Sequence, residues 1–84
     1  MTKFSLVILM VLNENNVDIP SKAMSVSQIL ALMGEKQRKS YSTTYRHLLN
    51  ITELGYLNCG LCDGLASTYF ITESGRLFCK AQGE

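Results

Sequence analysis

Catalytic equipment is scarce in this sequence. There is one histidine, His47. No paired carboxylate cluster, no glycine loop able to cradle a phosphate and no nucleophile elbow accompany it, so an enzyme is not expected. His47 has no orienting partner in sequence that would make it a general base. Cysteine is sparse and odd in number, at three, which argues against a disulfide framework and for a reducing, cytoplasmic compartment. Long apolar runs are missing too. The stretch Phe4 to Leu12 is nearly all apolar, but it is too short to span a bilayer. Asn13-Glu14-Asn15-Asn16 follows it, where a signal peptide would carry small residues for cleavage. Neither export nor a membrane partner is expected.

What remains is the composition of an ordinary globular domain. The sequence has 84 residues, 46% hydrophobic and 18% charged, which fits one folded unit over 1–84 rather than a disordered chain. A formal charge of +1 says little about partners, but its distribution says more. Lys36, Arg38, Lys39 and Arg46 lie in a window from 36 to 52 that contains no Asp or Glu. A local positive patch on a near-neutral chain suits nucleic acid or an acidic partner surface, and also a solvated loop, the commoner source of four basic residues.

Periodicity divides the chain into short elements. Residues 3–13 read as a first helix with almost no polar face, one side turned to the core and the other free for a second copy of the chain; a strand is the alternative. Asn13 to Ser21, with Pro20, is a loop. Met24 forms a short strand before Ser25-Val26-Ser27-Gln28, a capping box that opens a second helix over 26–33. Val26, Ile29, Leu30 and Met33 form its packing stripe, and Gly34 is expected to stop it in the left-handed conformation. The basic turn Glu35 to Lys39 leads into a third helix over 41–54. There Thr44, Leu48, Ile51 and Leu54 fall on one side, while Thr43, Arg46, His47 and Asn50 fall on another.

After Gly55 the pattern turns extended. Tyr56 to Cys62 and Leu65 to Ile71 flank Asp63-Gly64, a hairpin signal. A two-residue turn there pairs Leu57 with Phe70. If Leu57 shares the core face with Tyr69 and Ile71, the register must slip by one residue, and Gly60 is the natural site for the bulge. Thr72 then caps a closing helix over about 73–80.

The order helix, helix, helix, hairpin, short helix resembles the winged helix-turn-helix domain of MarR-like and PadR-like transcriptional regulators. The likeness runs over roughly 24–78. It rests on Ser42-Thr43-Thr44-Tyr45-Arg46-His47-Leu48 continuing to Leu54-Gly55-Tyr56-Leu57, and on Tyr69-Phe70-Ile71-Thr72-Glu73-Ser74-Gly75-Arg76. It implies a mostly helical α+β fold, a three-helix core with a two-stranded β-hairpin wing and a short C-terminal helix. It also implies sequence-specific binding of double-stranded DNA by a small, repressor-like regulator whose third helix enters the major groove. Ser42, Thr43, Arg46 and Asn50 would face the groove, with Ser40, Tyr41, Tyr45 and His47 nearby. Lys36, Arg38 and Lys39 would sit by the phosphates. A homodimer through the apolar first helix and the C-terminal helix is expected, and no cofactor.

Three features depart from the family. No Lys or Arg lies between His47 and Gly75, and Asp63 stands at the wing tip. The long extra helices by which such regulators dimerise are absent. The alternative function is a winged-helix module for protein interaction or assembly without nucleic acid. Cys59 and Cys62 with Cys79, and His47 beside them, have partial zinc-ligand spacing, but in a regular strand Cys59 and Cys62 point to opposite faces. Buried small hydrophobes are the expected role of the cysteines.

Overall fold

Thr2 opens the first helix: its Oγ1 accepts the Ser5 N–H at 3.2 Å, satisfying a donor that the helix leaves without an internal partner. The computed structural model describes residues 2–60 and 67–83. Helix α1 spans Lys3–Glu14 and buries Phe4, Ile8, Leu9 and Leu12, a spacing that lines one helical face. It is not buried all round: Leu6, Val7 and Val11 are half-buried and Met10 is exposed.

Asn16 ends α1 at φ +56°. Its N–H bonds the Asn13 carbonyl at 3.2 Å and the next N–H, of Val17, bonds that of Leu12 at 3.0 Å. This is a Schellman closure, in which Asn tolerates the left-handed position and Val17 packs back on Leu12. After a 3-10 turn at Pro20–Lys22, strand β1 covers Met24–Ser25.

The capping box forms as expected. Ser25 Oγ accepts the Gln28 N–H at 3.3 Å, and Gln28 Oε1 accepts the Ser25 N–H at 2.9 Å. Helix α2 covers Val26–Leu32, and its Val26 and Ile29 are buried with Met33 just beyond. Gly34 does not supply a left-handed stop, since among the described residues the only glycine at positive φ is Gly55. Instead Met33 leaves the helix extended, at ψ 144°, with its side chain in the core.

Helix α3 covers Tyr41–Glu53. Thr44, Leu48 and Ile51 form its packing face. Leu54, expected on that face, is 57% exposed instead, because the chain leaves the helical path there. Gly55 at φ +86° closes a second Schellman turn, with Gly55 N–H on Thr52 O at 3.0 Å and Tyr56 N–H on Ile51 O at 3.2 Å. The Gly55 position lies in the left-handed region, where a Cβ is penalised.

Strands β2 (Leu57–Cys59) and β3 (Thr68–Ile71) are antiparallel. Leu57 lies opposite Ile71 and Cys59 opposite Tyr69, one residue away from the register of a tight Asp63-Gly64 hairpin. Leu57, Tyr69 and Ile71 are all buried, so packing of the core face set the register. Gly60 carries no bulge: its N–H bonds the Thr68 carbonyl at 2.9 Å, in step with the ladder. The Asp63-Gly64 turn lies outside the described residues. Strand β1 joins the other edge of β3, placing Met24 opposite Tyr69 in a sheet of order β1-β3-β2.

Helix α4 covers Glu73–Gly83 and packs on α1. Thr72 caps it, its Oγ1 accepting the Gly75 N–H at 3.1 Å while donating to the Gly55 carbonyl at 2.6 Å. Arg76 reaches back from α4 to Asp18 at 2.9 Å and to Asn16 Oδ1 at 3.3 Å. The result is the winged helix-turn-helix arrangement, with α2 and α3 as the helical pair and β2–β3 as the wing.

Candidate nucleic-acid interface

The face of α3 opposite its packing residues carries Tyr41, Ser42, Tyr45, Arg46, Leu49, Asn50 and Glu53, all exposed. These positions recur at gaps of one and three, the spacing of a continuous stripe on a helix about 20 Å long. The side chains of Ser42, Arg46 and Asn50 have no partner among the described residues. They present a hydroxyl, a guanidinium and a carboxamide, groups that hydrogen-bond base edges and phosphates.

The start of α3 is held by its own hydroxyls. Ser40 Oγ accepts the Thr43 N–H at 3.2 Å and donates to Thr43 Oγ1 at 2.9 Å. Thr44 Oγ1 bonds the Ser40 carbonyl at 2.9 Å. Ser40 and Thr43 therefore serve the cap first, and Thr43 is half-buried.

His47 turns away from the exposed stripe toward α1. Its Nδ1 lies 2.8 Å from Ser5 Oγ and 3.3 Å from Thr2 Oγ1, and its ring meets Phe4 edge-on at 4.9 Å between centroids. The imidazole thus joins α1 to α3, leaving it half-buried.

Beside this junction opens a cleft of about 600 Å³ between the start of α1 and the turn that joins α2 to α3. Lys3, Lys36, Arg38 and Lys39 line it, with Phe4 and Val7 on its apolar side and no acidic residue among its walls. Lys39 Nζ stands 5.4 Å from the Phe4 ring centre, a cation–π distance. An Arg38 guanidinium nitrogen donates to the Met33 carbonyl at 3.3 Å. Among the described residues, the one ion pair is Arg76 with Asp18, so the cleft cations have no carboxylate partner there.

On the other flank α3 packs against β2 of the wing, and Tyr69 of β3 lies near enough to Tyr45 and Tyr41 to feel their charge. Burial holds its phenol above the ordinary value; the nearby Tyr45 and Cys59 add to this, while a Ser67 hydrogen bond works against it. Tyr45 and Tyr41 thus sit on the wing side of the stripe, and Asn50 lies across it. Cys59 is exposed on β2 and Cys79 is buried on the core side of α4, its thiol also raised by burial. Cys62 and Asp63 lie outside the described residues. Among the described residues no three His, Cys, Asp or Glu side chains gather as a metal set.

Of the residues expected at the site, Tyr41, Ser42, Tyr45, Arg46 and Asn50 share one face, and Lys36, Arg38 and Lys39 cluster at the cleft. Ser40, Thr43 and His47 are engaged within the fold. Leu49, Glu53 and Lys3 were not singled out from the sequence. The first two follow from continuing the spacing of Tyr41 and Tyr45 down the helix; Lys3 carries no such signal, since only the folded chain brings it to the turn. Among the described residues no helix is long and apolar enough to cross a membrane.

No protein-family model matches the sequence, and no curated protein matches it. Solved structures do. The solution structure of the DNA-binding TubR fragment from Clostridium botulinum is 26% identical at a TM-score of 0.76, with 98% of this chain and 96% of that one covered. The S. aureus MepR–DNA complex is 19% identical at a TM-score of 0.75. That match covers 99% of this chain and 62% of MepR. A candidate DNA-binding protein from Ralstonia eutropha JMP134 is 14% identical at 0.76, covering 100% and 99%. The chain has the mostly helical α+β fold of these winged-helix proteins.

Proposed function

We propose that this chain binds duplex DNA as a small transcriptional regulator of repressor type, with α3 in the major groove. The observation that carries the reading is the unpartnered row Ser42, Arg46 and Asn50 beside a cation-lined, acid-free cleft. Arg46 suits a guanine and Asn50 an adenine, each bidentate pair contributing about 1–3 kcal/mol of discrimination. The cleft lysines and Arg38 supply the sequence-independent attraction to phosphates. The likeness to the DNA-binding TubR fragment extends along nearly the whole of both chains. A MarR-like character is the finer form of this reading.

Attraction in this reading is one-sided. Between His47 and Gly75 there is no Lys or Arg, so phosphate contact falls on the cleft flank rather than on the wing. One copy therefore binds weakly, and two copies reading two half-sites restore affinity. The surface proposed for pairing is α1 with α4, where Met10 is 36% and Leu77 61% exposed. A cytoplasmic location, with the cysteines reduced, belongs to the same proposal.

Fluorescence anisotropy with a random-sequence duplex at two salt concentrations tests it. Binding that weakens steeply with salt is expected. No salt-dependent binding, even at low ionic strength, overturns the reading.

A further inference from the structure

Leu49 occupies the middle of the outward face of α3. Successive residues of a helix turn by about 100°, which sets Leu49 between Tyr45 on the wing side and Ser42 and Arg46 on the other. It is 41% exposed, and with Tyr41 at 55% and Tyr45 at 40% it forms an apolar row down successive turns of the reading face. The polar row Ser42, Arg46 and Asn50 runs alongside. The apolar row starts at the wing-side edge of the face with Tyr41 and Tyr45 and reaches its middle at Leu49, an apolar side chain that a face meant only to be wet does not need there.

The occupant of the row is constrained by its surroundings. Lys36, Arg38 and Lys39 stand at the N-terminal approach and Arg46 on the face itself, and the window 36–52 holds no acid. Glu53 enters only at the last turn of the helix. That charge pattern suits a polyanion and not an acid-poor apolar protein surface. On the floor of the major groove the one apolar feature is the C5-methyl group of thymine. Asn50, next to Leu49 in sequence and on the same face, has the donor and acceptor pair that matches adenine N7 and N6. Leucine beside asparagine therefore matches the two halves of A·T pairs.

We infer that Leu49, flanked by the Tyr45 ring, is a specificity-determining residue that reads thymine C5-methyl groups, so that the preferred duplex carries A·T pairs beneath the middle of α3. This rests on the DNA-binding reading above. The contact removes apolar surface of both partners from water and needs no hydrogen bond, so it adds selectivity without rearranging the helix.

The test uses the tightest duplex selected from a random pool, resynthesised with dU in place of dT so that only the methyl groups are lost. Wild-type protein is expected to bind the dU duplex about threefold or more weakly. Leu49→Ala, which removes an exposed side chain in favour of the best helix former, is expected to bind both duplexes alike. Asn50→Ala is expected to lose affinity for both while keeping the ratio between them. Equal wild-type affinity for the two duplexes overturns the inference, as does an unchanged ratio in Leu49→Ala, or a selected site without thymine. No binding to any duplex at low salt overturns the DNA reading itself, and this inference with it.

Discussion

His47 Nδ1 and Ser5 Oγ lie 2.8 Å apart, so the single histidine of the chain fastens α1 to the helix that carries the exposed row Ser42, Arg46 and Asn50. Among the described residues no buried side-chain nitrogen or oxygen is left unpaired. His47→Ala removes this bond and the edge-on contact with Phe4. A loss of about 1–3 kcal/mol of stability is expected, measured by urea unfolding. An unchanged midpoint would show the junction to be incidental.

Arg46→Ala and Asn50→Ala should separate binding from folding. Both side chains are exposed and unpartnered, so thermal midpoints should stay close to wild type while affinity for the selected duplex falls about tenfold or more. Lys36→Gln with Lys39→Gln should weaken binding to all sequences alike. Each neutralised phosphate contact is expected to flatten the logarithmic salt slope by about 0.9. Anisotropy titrations over a salt series read both effects.

Gly75 packs under the turn at Tyr56. A Cβ there would collide with the Tyr56 carbonyl oxygen and with the Ile71 side chain. Gly75→Ala is therefore expected to lose about 1–3 kcal/mol through forced displacement, although alanine is the better helix former. Gly34→Ala is the contrast: nothing lies near its Cβ position and its φ is not positive, so stability should hold or rise slightly. Parallel denaturation curves for the two variants check the pair.

Alkali should destabilise the domain. The Cys79 thiol and the Tyr69 phenol are both held above their ordinary values of 9.0 and 10.0, in each case chiefly by burial. A raised folded value means that the unfolded chain releases its proton first as pH climbs. Each group thus contributes stability that is complete below its unfolded value and is lost as pH rises through the folded one. The urea midpoint should fall from about pH 9 upward, and Cys79→Ala should remove the thiol's share of that decline. A midpoint independent of pH up to strong alkali would contradict the assignment.

Local grammar was the most legible part of the fold. Ser25 with Gln28 announced α2, Gly55 announced the exit of α3, and Thr72 announced α4, because each depends on residues within one turn of one another. Leu57, Tyr69 and Ile71 were also identifiable as a shared core face. The features that escaped depend on longer range. Gly34 looked like a helix stop, but burial of Met33 drew the chain out extended before the glycine was reached. Asn16 took the left-handed role at the end of α1, in a polar run that reads as loop. The row on α3 was only half visible: Arg46 and Asn50 stood out by chemistry, whereas Leu49 falls on neither of the two sides read from the sequence. His47 could be placed against Ser5 only once α1 and α3 were packed.

The Thr72 hydroxyl ties the turn that follows α3 to the first turn of α4, donating to the Gly55 carbonyl and accepting the Gly75 amide. It works as a rivet between the tail of α3 and the head of α4. In a pair of chains docked through α4, the separation and tilt of the two α3 helices would be transmitted through that rivet. The number of base pairs between two half-sites would then be a mechanical property of the α3–α4 elbow, set well away from any residue that touches a base.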